Sequence, residues 1–193
     1  MILPIVAYGD PVLKKEAEDI PADYPNLKEL IANMFETMEG ASGVGLAAPQ
    51  VGLSIRLFIV DTSPFVDDEE DDKELLELRG FRRVFINPII LDEEGEKWNF
   101  NEGCLSIPGI REDVSRKPKI TIEYYDEQFN LKEETYEGLR ARVIQHEYDH
   151  IDGILFTDRL NPLRKQLLRK RLENITKGIV DVDYRMKFPK ARR

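Results

Sequence analysis

The sequence predicts an α+β fold: mixed and antiparallel strands packed around one central metal-binding helix, with a further helix near the C-terminus. Three observations carry this expectation. Short runs rich in β-branched and aromatic residues, bounded by turn residues, recur between residues 55 and 136. A helical pattern over 138–151 holds both histidines of the chain, His146 and His150. A second helical pattern begins at Asn161-Pro162, a cap followed by a first-turn proline.

The elements follow in order. Asp10-Pro11 opens a short helical turn. Over 25–38, Leu27, Leu30, Ile31, Met34, Phe35 and Met38 recur at spacings of three and four, the mark of an amphipathic helix, and Gly40 ends it. Residues 43–52 read as a glycine-punctuated loop. Residues 55–60 read as a buried strand, and 84–90 as another, interrupted by Pro88. Between them the acidic block at 67–72 cannot pack against itself, so a solvated loop is expected over about 66–78. Residues 96–101 form a strand leading to Gly103-Cys104. Residues 119–125 and 131–136 form a hairpin. In the helix over 138–151 the inward face is Leu139, Val143, His146, Glu147 and His150. In the last helix Leu163, Leu167, Leu172 and Ile175 are expected to face in, and Gly178 ends it.

The chain has 193 residues, enough for one domain with a sizeable core, and 1–193 reads as a single catalytic domain. No run approaches a membrane span, and the apolar start is cut short by Asp10 and Pro11, so no signal peptide is expected. A lone cysteine, Cys104, excludes an internal disulfide framework, and a cytoplasmic location follows as the default. The net charge of −9 is unevenly spread. Residues 161–193 carry +8 and the rest −17, so a basic tail sits on an acidic body and can still dock onto phosphate.

The chemistry concentrates at Gln145-His146-Glu147-Tyr148-Asp149-His150. A helix places His146 and His150 on one face, one turn apart, with Glu147 beside them. H-E-x-x-H pairs two metal ligands with a carboxylate that can act as general base. A catalytic zinc-like centre takes three protein ligands and leaves a place for water. With no third histidine, the candidates for the remaining ligand are Cys104 and a downstream carboxylate such as Glu173. Glu173 would make the site a zincin-type endopeptidase. A third possibility is a basic-tailed ribosome- or RNA-binding module with a structural metal.

The loop Gly43-Val44-Gly45-Leu46-Ala47-Ala48 has the letters of a dinucleotide fingerprint. That fingerprint must follow a strand and open a helix. Here it follows a helix, and Pro49 argues against a helix starting in the loop, so dinucleotide binding is rejected. The remaining function for the loop is a backbone lying against an extended substrate, with Gln50 turned into the cleft.

Residues 43–50, 102–106 and 145–150, in this order, resemble the three motifs of the peptide deformylases, and residues 5–13 are similar to that family's opening. The resemblance spans roughly residues 1–175. It implies a metal-dependent hydrolase that removes the formyl group from the N-terminal formylmethionine of nascent polypeptides, by attack of a metal-bound water or hydroxide. By matching position it implies Cys104, His146 and His150 as metal ligands and Glu147 as general acid/base. Gln50 and the Leu105 backbone N–H would steady the oxyanion. Gly45 would pair with the substrate backbone. Val44, Glu102, Leu139 and Val143 would line the methionine pocket, Gly103 would also bind the substrate, and Arg111 would lie near the substrate's distal end. The implied ion is Fe²⁺, with Zn²⁺ or Ni²⁺ as substitutes. The basic C-terminal helix would dock on the ribosome near the emerging nascent chain. No long apolar seam is left over, so a monomer is expected.

Overall fold

The computed structural model describes residues 1–66 and 72–189. The chain opens with strand β1 (Ile5–Val6) and a single 3-10 turn (Pro11–Lys14). Asp10 caps that turn by accepting from the Val12 N–H, and Pro11 starts it, as expected. Helix α1 (Leu27–Gly40) buries Ile31, Met34, Phe35 and Met38 on one face.

Strand β2 (Gly45–Ala47) follows, then a 3-10 turn (Ala48–Val51). The expectation that no helix starts here is corrected for this one turn. Proline is tolerated in a first turn, where its missing N–H has no intrahelical partner. Strand β3 (Leu57–Asp61) is buried over most of its length. The centre of the acidic block, 67–71, lies outside the described residues. The solvated stretch is shorter than expected: helix α2 (Lys73–Leu76) forms one turn, and Leu78 and Phe81 are buried behind it.

Strands β4 (Arg82–Glu94), β5 (Trp98–Cys104), β6 (Ile107–Arg116), β7 (Lys119–Tyr125) and β8 (Leu131–Glu137) complete the central part. A five-stranded antiparallel sheet runs in the order β2-β3-β4-β7-β8, and β5 pairs with β6 separately. Strand β4 extends beyond the expected 84–90. Its ladder shifts between Ile86 and Ile89, where Asn87 adopts φ +48° and Pro88 has no N–H to give. Strand β6 was not anticipated. From Ile110 onward its inward positions alternate, but Glu112 and Arg116 occupy two of them and hide the apolar pattern.

Helix α3 (Gly138–Ile151) is the central element. Ten of its residues are buried, on all sides, and six of these are polar or charged. Ala141, Val143, Ile144 and Ile151 join Phe58, Phe85, Ile122 and Tyr124 of the sheet in one cluster. A second cluster joins Ile107, Ile110 and Val114 to Leu155 and Phe156 and to helix α4 (Pro162–Thr176). Asn161 caps α4 by accepting from the Arg164 N–H. The inward face of α4 is Leu168, Leu172 and Ile175. Leu163 and Leu167 are exposed, contrary to expectation. Leu168 lies about 100° around the helix from Leu167, and the seam follows it. Beyond α4, strand β9 (Met186–Lys187) runs parallel to β1, joining the two ends of the described chain.

The architecture is therefore the α+β arrangement read from the sequence. Among the described residues no helix is long and apolar enough to cross a membrane.

Candidate metal centre and active site

Three elements deliver the site. Helix α3 brings His146, Glu147 and His150; β5 ends on Cys104; the turn after β2 brings Gln50. One ligand atom from each of Cys104, His146 and His150 falls within 4.8 Å of the others. Cys104 Sγ lies 3.3 Å from His150 Nε2, and the imidazole centroids are 5.2 Å apart. The β5–β6 register shifts between Gly103 and Cys104, and Cys104, in the pair that closes the ladder, meets His150 of the helix. Of the two candidates for the third ligand, Glu173 is exposed on α4 and bonded to Lys177, so the cluster is Cys104, His146 and His150.

Glu102 was expected to line the substrate pocket. It does border the cleft, and it also anchors a buried ionic network. Its two oxygens accept from Arg116 and Arg142, and one also contacts His146 Nδ1 at 2.8 Å. That contact turns His146 Nε2 toward the cluster, the usual way a carboxylate orients a ligating imidazole. Burial opposes charge on Glu102, but the bonds from His146 and Arg116 outweigh it and hold its carboxyl well below the usual range. Arg116 continues to Asp149, which also accepts from Arg159. Arg142 is 2% exposed and lies over the Trp98 ring at 4.5 Å.

Arg116, Arg142 and Asp149 were missed from sequence. The signal was present for two of them. Arg142 and Asp149 stand one turn on either side of His146, on a helix expected to be central, and a buried charge needs a partner.

Glu147 is buried, and its Oε2 has no hydrogen-bond partner. Burial, partly offset by the His146 charge, pushes its carboxyl up to about 7. Gln50 is fixed at both ends. Its Oε1 accepts from the Ala47 N–H at 2.9 Å, and its Nε2 points to Cys104 Sγ at 3.4 Å and to Ser106 Oγ at 3.2 Å. These residues suit a divalent ion. The donors are a thiol and two imidazoles, one of them oriented by a carboxylate. The unpaired Glu147 carboxyl sits at their side.

The site opens into a cleft of about 630 Å³. Val44, Gly45, Gln50, Glu102, Gly103, Leu105, Arg111 and Val143 all border it. Leu139 does not. It lies on α3 one turn before Val143, farther from the ligands, and is only half-buried. The cleft also has walls that were not foreseen, Phe100 and Ile110 on β5 and β6 and Val182 and Tyr184 beyond α4.

Residues 2–166 match the family model described as polypeptide deformylase. The peptide deformylase of Christiangramia forsetii is 62% identical over 194 residues, covering 100% of this chain and 99% of that protein. The peptide deformylase of Flavobacterium psychrophilum is 63% identical over 194 residues, covering 100% of each. The crystal structure of peptide deformylase from Thermus thermophilus aligns with a TM-score of 0.79 and 44% identity, over 92% of this chain and 99% of that one. With the site geometry and these likenesses in agreement, the chain belongs to the peptide deformylase family.

Proposed function

We propose that this chain, a peptide deformylase that removes the formyl group from nascent polypeptides, holds Fe²⁺ on Cys104, His146 and His150 and uses Glu147 to move the protons. The convergence of those three ligand atoms beside an unpaired, buried carboxyl carries this reading. Zn²⁺ or Ni²⁺ would fit the same donors. When bound, the ion supplies Lewis acidity, lowering the pKa of a coordinated water into the neutral range.

The chain's own residues supply the rest. Glu147 accepts the proton of the attacking water and delivers it to the departing amine. The Gln50 amide and the Leu105 N–H receive the charge that develops on the formyl oxygen. Each such donor contributes about 3 kcal/mol, on the order of a hundredfold in rate. Strand β2 lies at the edge of its sheet, so Gly45 can pair with an extended peptide as an added strand. Val44 and Val143 give the methionine side chain apolar contacts, with Gly103 and Glu102 beside them. Arg111 is held by Asn101 at the cleft margin, where it can meet the distal end of the peptide.

Glu147→Gln tests the assignment. Turnover of a formyl-Met peptide should be lost while one metal per chain is retained. A variant that keeps turnover would exclude Glu147 as the proton carrier.

The whole of 1–193 is read as one catalytic domain, supported by the pairing of β1 with β9, and as a cytoplasmic monomer on the sequence reading alone. The basic face of α4 is read as a ribosome-docking surface. Arg169, Lys170 and Arg171 are exposed there, and their charge reversal should weaken ribosome binding in a salt-dependent manner without slowing small-peptide turnover.

A further inference from the structure

The segment beyond α4 returns to the active-site cleft. Gly178 turns the chain at φ +74°, and the Phe188 ring lies over it, so the two ends of the segment meet. Val180, Met186 and Phe188 pack onto the second core cluster. In the β1–β9 pair the Ile5 and Ala7 N–H groups donate to the Arg185 and Lys187 carbonyls at 2.9 Å. Between these anchors Val182 and Tyr184 reach the cleft wall beside Cys104 and Leu105.

Tyr184 makes one directed contact there. Its Oη donates to the Leu105 carbonyl oxygen at 2.8 Å. Leu105 and Ser106 form the turn between β5 and β6, outside the ladder that ends on the Cys104–Ile107 pair. Backbone groups in such a turn need partners from elsewhere. Ser106 finds them in the Tyr8 N–H, which donates to its carbonyl at 2.8 Å, and in Gln50 Nε2 at its hydroxyl. The turn is thus held from three sides, by the first strand's continuation, by Gln50 and by the segment after α4.

We propose that Tyr184 is a positioning residue for deformylation: its hydroxyl fixes the Leu105 carbonyl, and through it the direction of the Leu105 N–H. Fixing the carbonyl restrains the Leu105 α-carbon. The N–H on the other side of that carbon must then meet the formyl oxygen as charge builds on it. Preorganised donors act because they need no reorientation at the moment of reaction. A looser turn keeps the donor but loses its aim. The proposal rests on the reading of Leu105 as an oxyanion donor.

The test is Tyr184→Phe in the full-length, metal-loaded chain, which keeps the ring and its packing. kcat for a formyl-Met peptide should fall on the order of tenfold, a fraction of the loss from removing a donor outright. KM should stay within about twofold, since the effect belongs to the transition state. Amide hydrogen exchange at Leu105, read by mass spectrometry, should accelerate while metal content is unchanged. An unchanged kcat, a change confined to KM, or loss of metal would each overturn the proposal. Gln50→Ala is run in parallel. If it slows turnover and Tyr184→Phe does not, the oxyanion site stands and the Tyr184 role fails. If neither slows turnover, the oxyanion reading itself fails.

Discussion

Glu147 lies against the α-carbon of Gly45, and a β-carbon there would come within 2.8 Å of the Glu147 carboxylate carbon. Glycine at this position leaves room for the Glu147 carboxyl, and α3 packs closely on β2 because of it. Gly45→Ala should displace the Glu147 carboxyl and lower kcat/KM on the order of a hundredfold. Metal content should be unaffected, because the three atoms nearest the new methyl all belong to Glu147. Steady-state kinetics with metal analysis would decide it, and near-native kinetics would show that the carboxyl has somewhere else to go.

Glu102 should matter twice. In Glu102→Ala, Arg116 and Arg142 stay buried without the carboxylate they share, and breaking such a pair costs about 3–5 kcal/mol. His146 loses the acceptor at its Nδ1, which should weaken metal binding by about 10- to 100-fold. Urea unfolding and competition with a zinc chelator measure the two effects separately. A stable variant with native metal affinity would remove Glu102 from both roles.

Cys104 and Glu173, the two candidates for a third ligand, are separable by mutation. Cys104→Ala should abolish tight binding of one ion per chain, whereas Glu173→Ala, on the exposed face of α4, should leave it intact. Elemental analysis of both variants after anaerobic purification provides the comparison. Retention of metal by Cys104→Ala would place the ion on other residues.

Alkaline stability should carry the mark of one tyrosine cluster. Tyr124 and Tyr136 both donate to the Glu134 carboxylate, and Tyr124 is buried. Burial, with the Glu134 charge adding to it, pushes the Tyr124 phenol up to about 12. A phenol whose folded pKa exceeds its unfolded value of about 10 stabilises the fold fully below that pH. That contribution is lost as the pH rises from about 10 toward 12. The melting temperature should therefore fall across this window, and fall less steeply in Tyr124→Phe. Lysines titrate in the same range, so the difference between the two chains is the quantity to read. Equal slopes would show that Tyr124 contributes nothing to it.

What was legible in the sequence was local. The caps at Asp10 and Asn161, the buried face of α1, and the one-turn spacing of His146 and His150 on α3 depend on neighbours within a few residues. Features set by distant partners were not legible. Glu112 and Arg116 disguise β6 because Arg164 and Glu102, which satisfy them, lie far along the chain. Glu102 reads as a pocket wall until Arg116 and Arg142 are seen on it. Strands β1 and β9 are two residues each, too short for any period to show, and exist only because they meet. On α4 the apolar residues outnumber the positions that can face the core, and Leu163 and Leu167 are left outside.

The pairing of β1 with β9 has a bearing on biogenesis. A chain emerging from its own ribosome presents β1 well before β9, and that strand must wait for the segment beyond α4 before its neighbour arrives. The helix with His146 and His150 can form earlier from nearby sequence, whereas a contact between stretches so far apart in a polypeptide is among the slowest to close. A prematurely terminated product would thus still bear the imidazole pair and the thiol, but would lack the late-arriving tyrosine beside them.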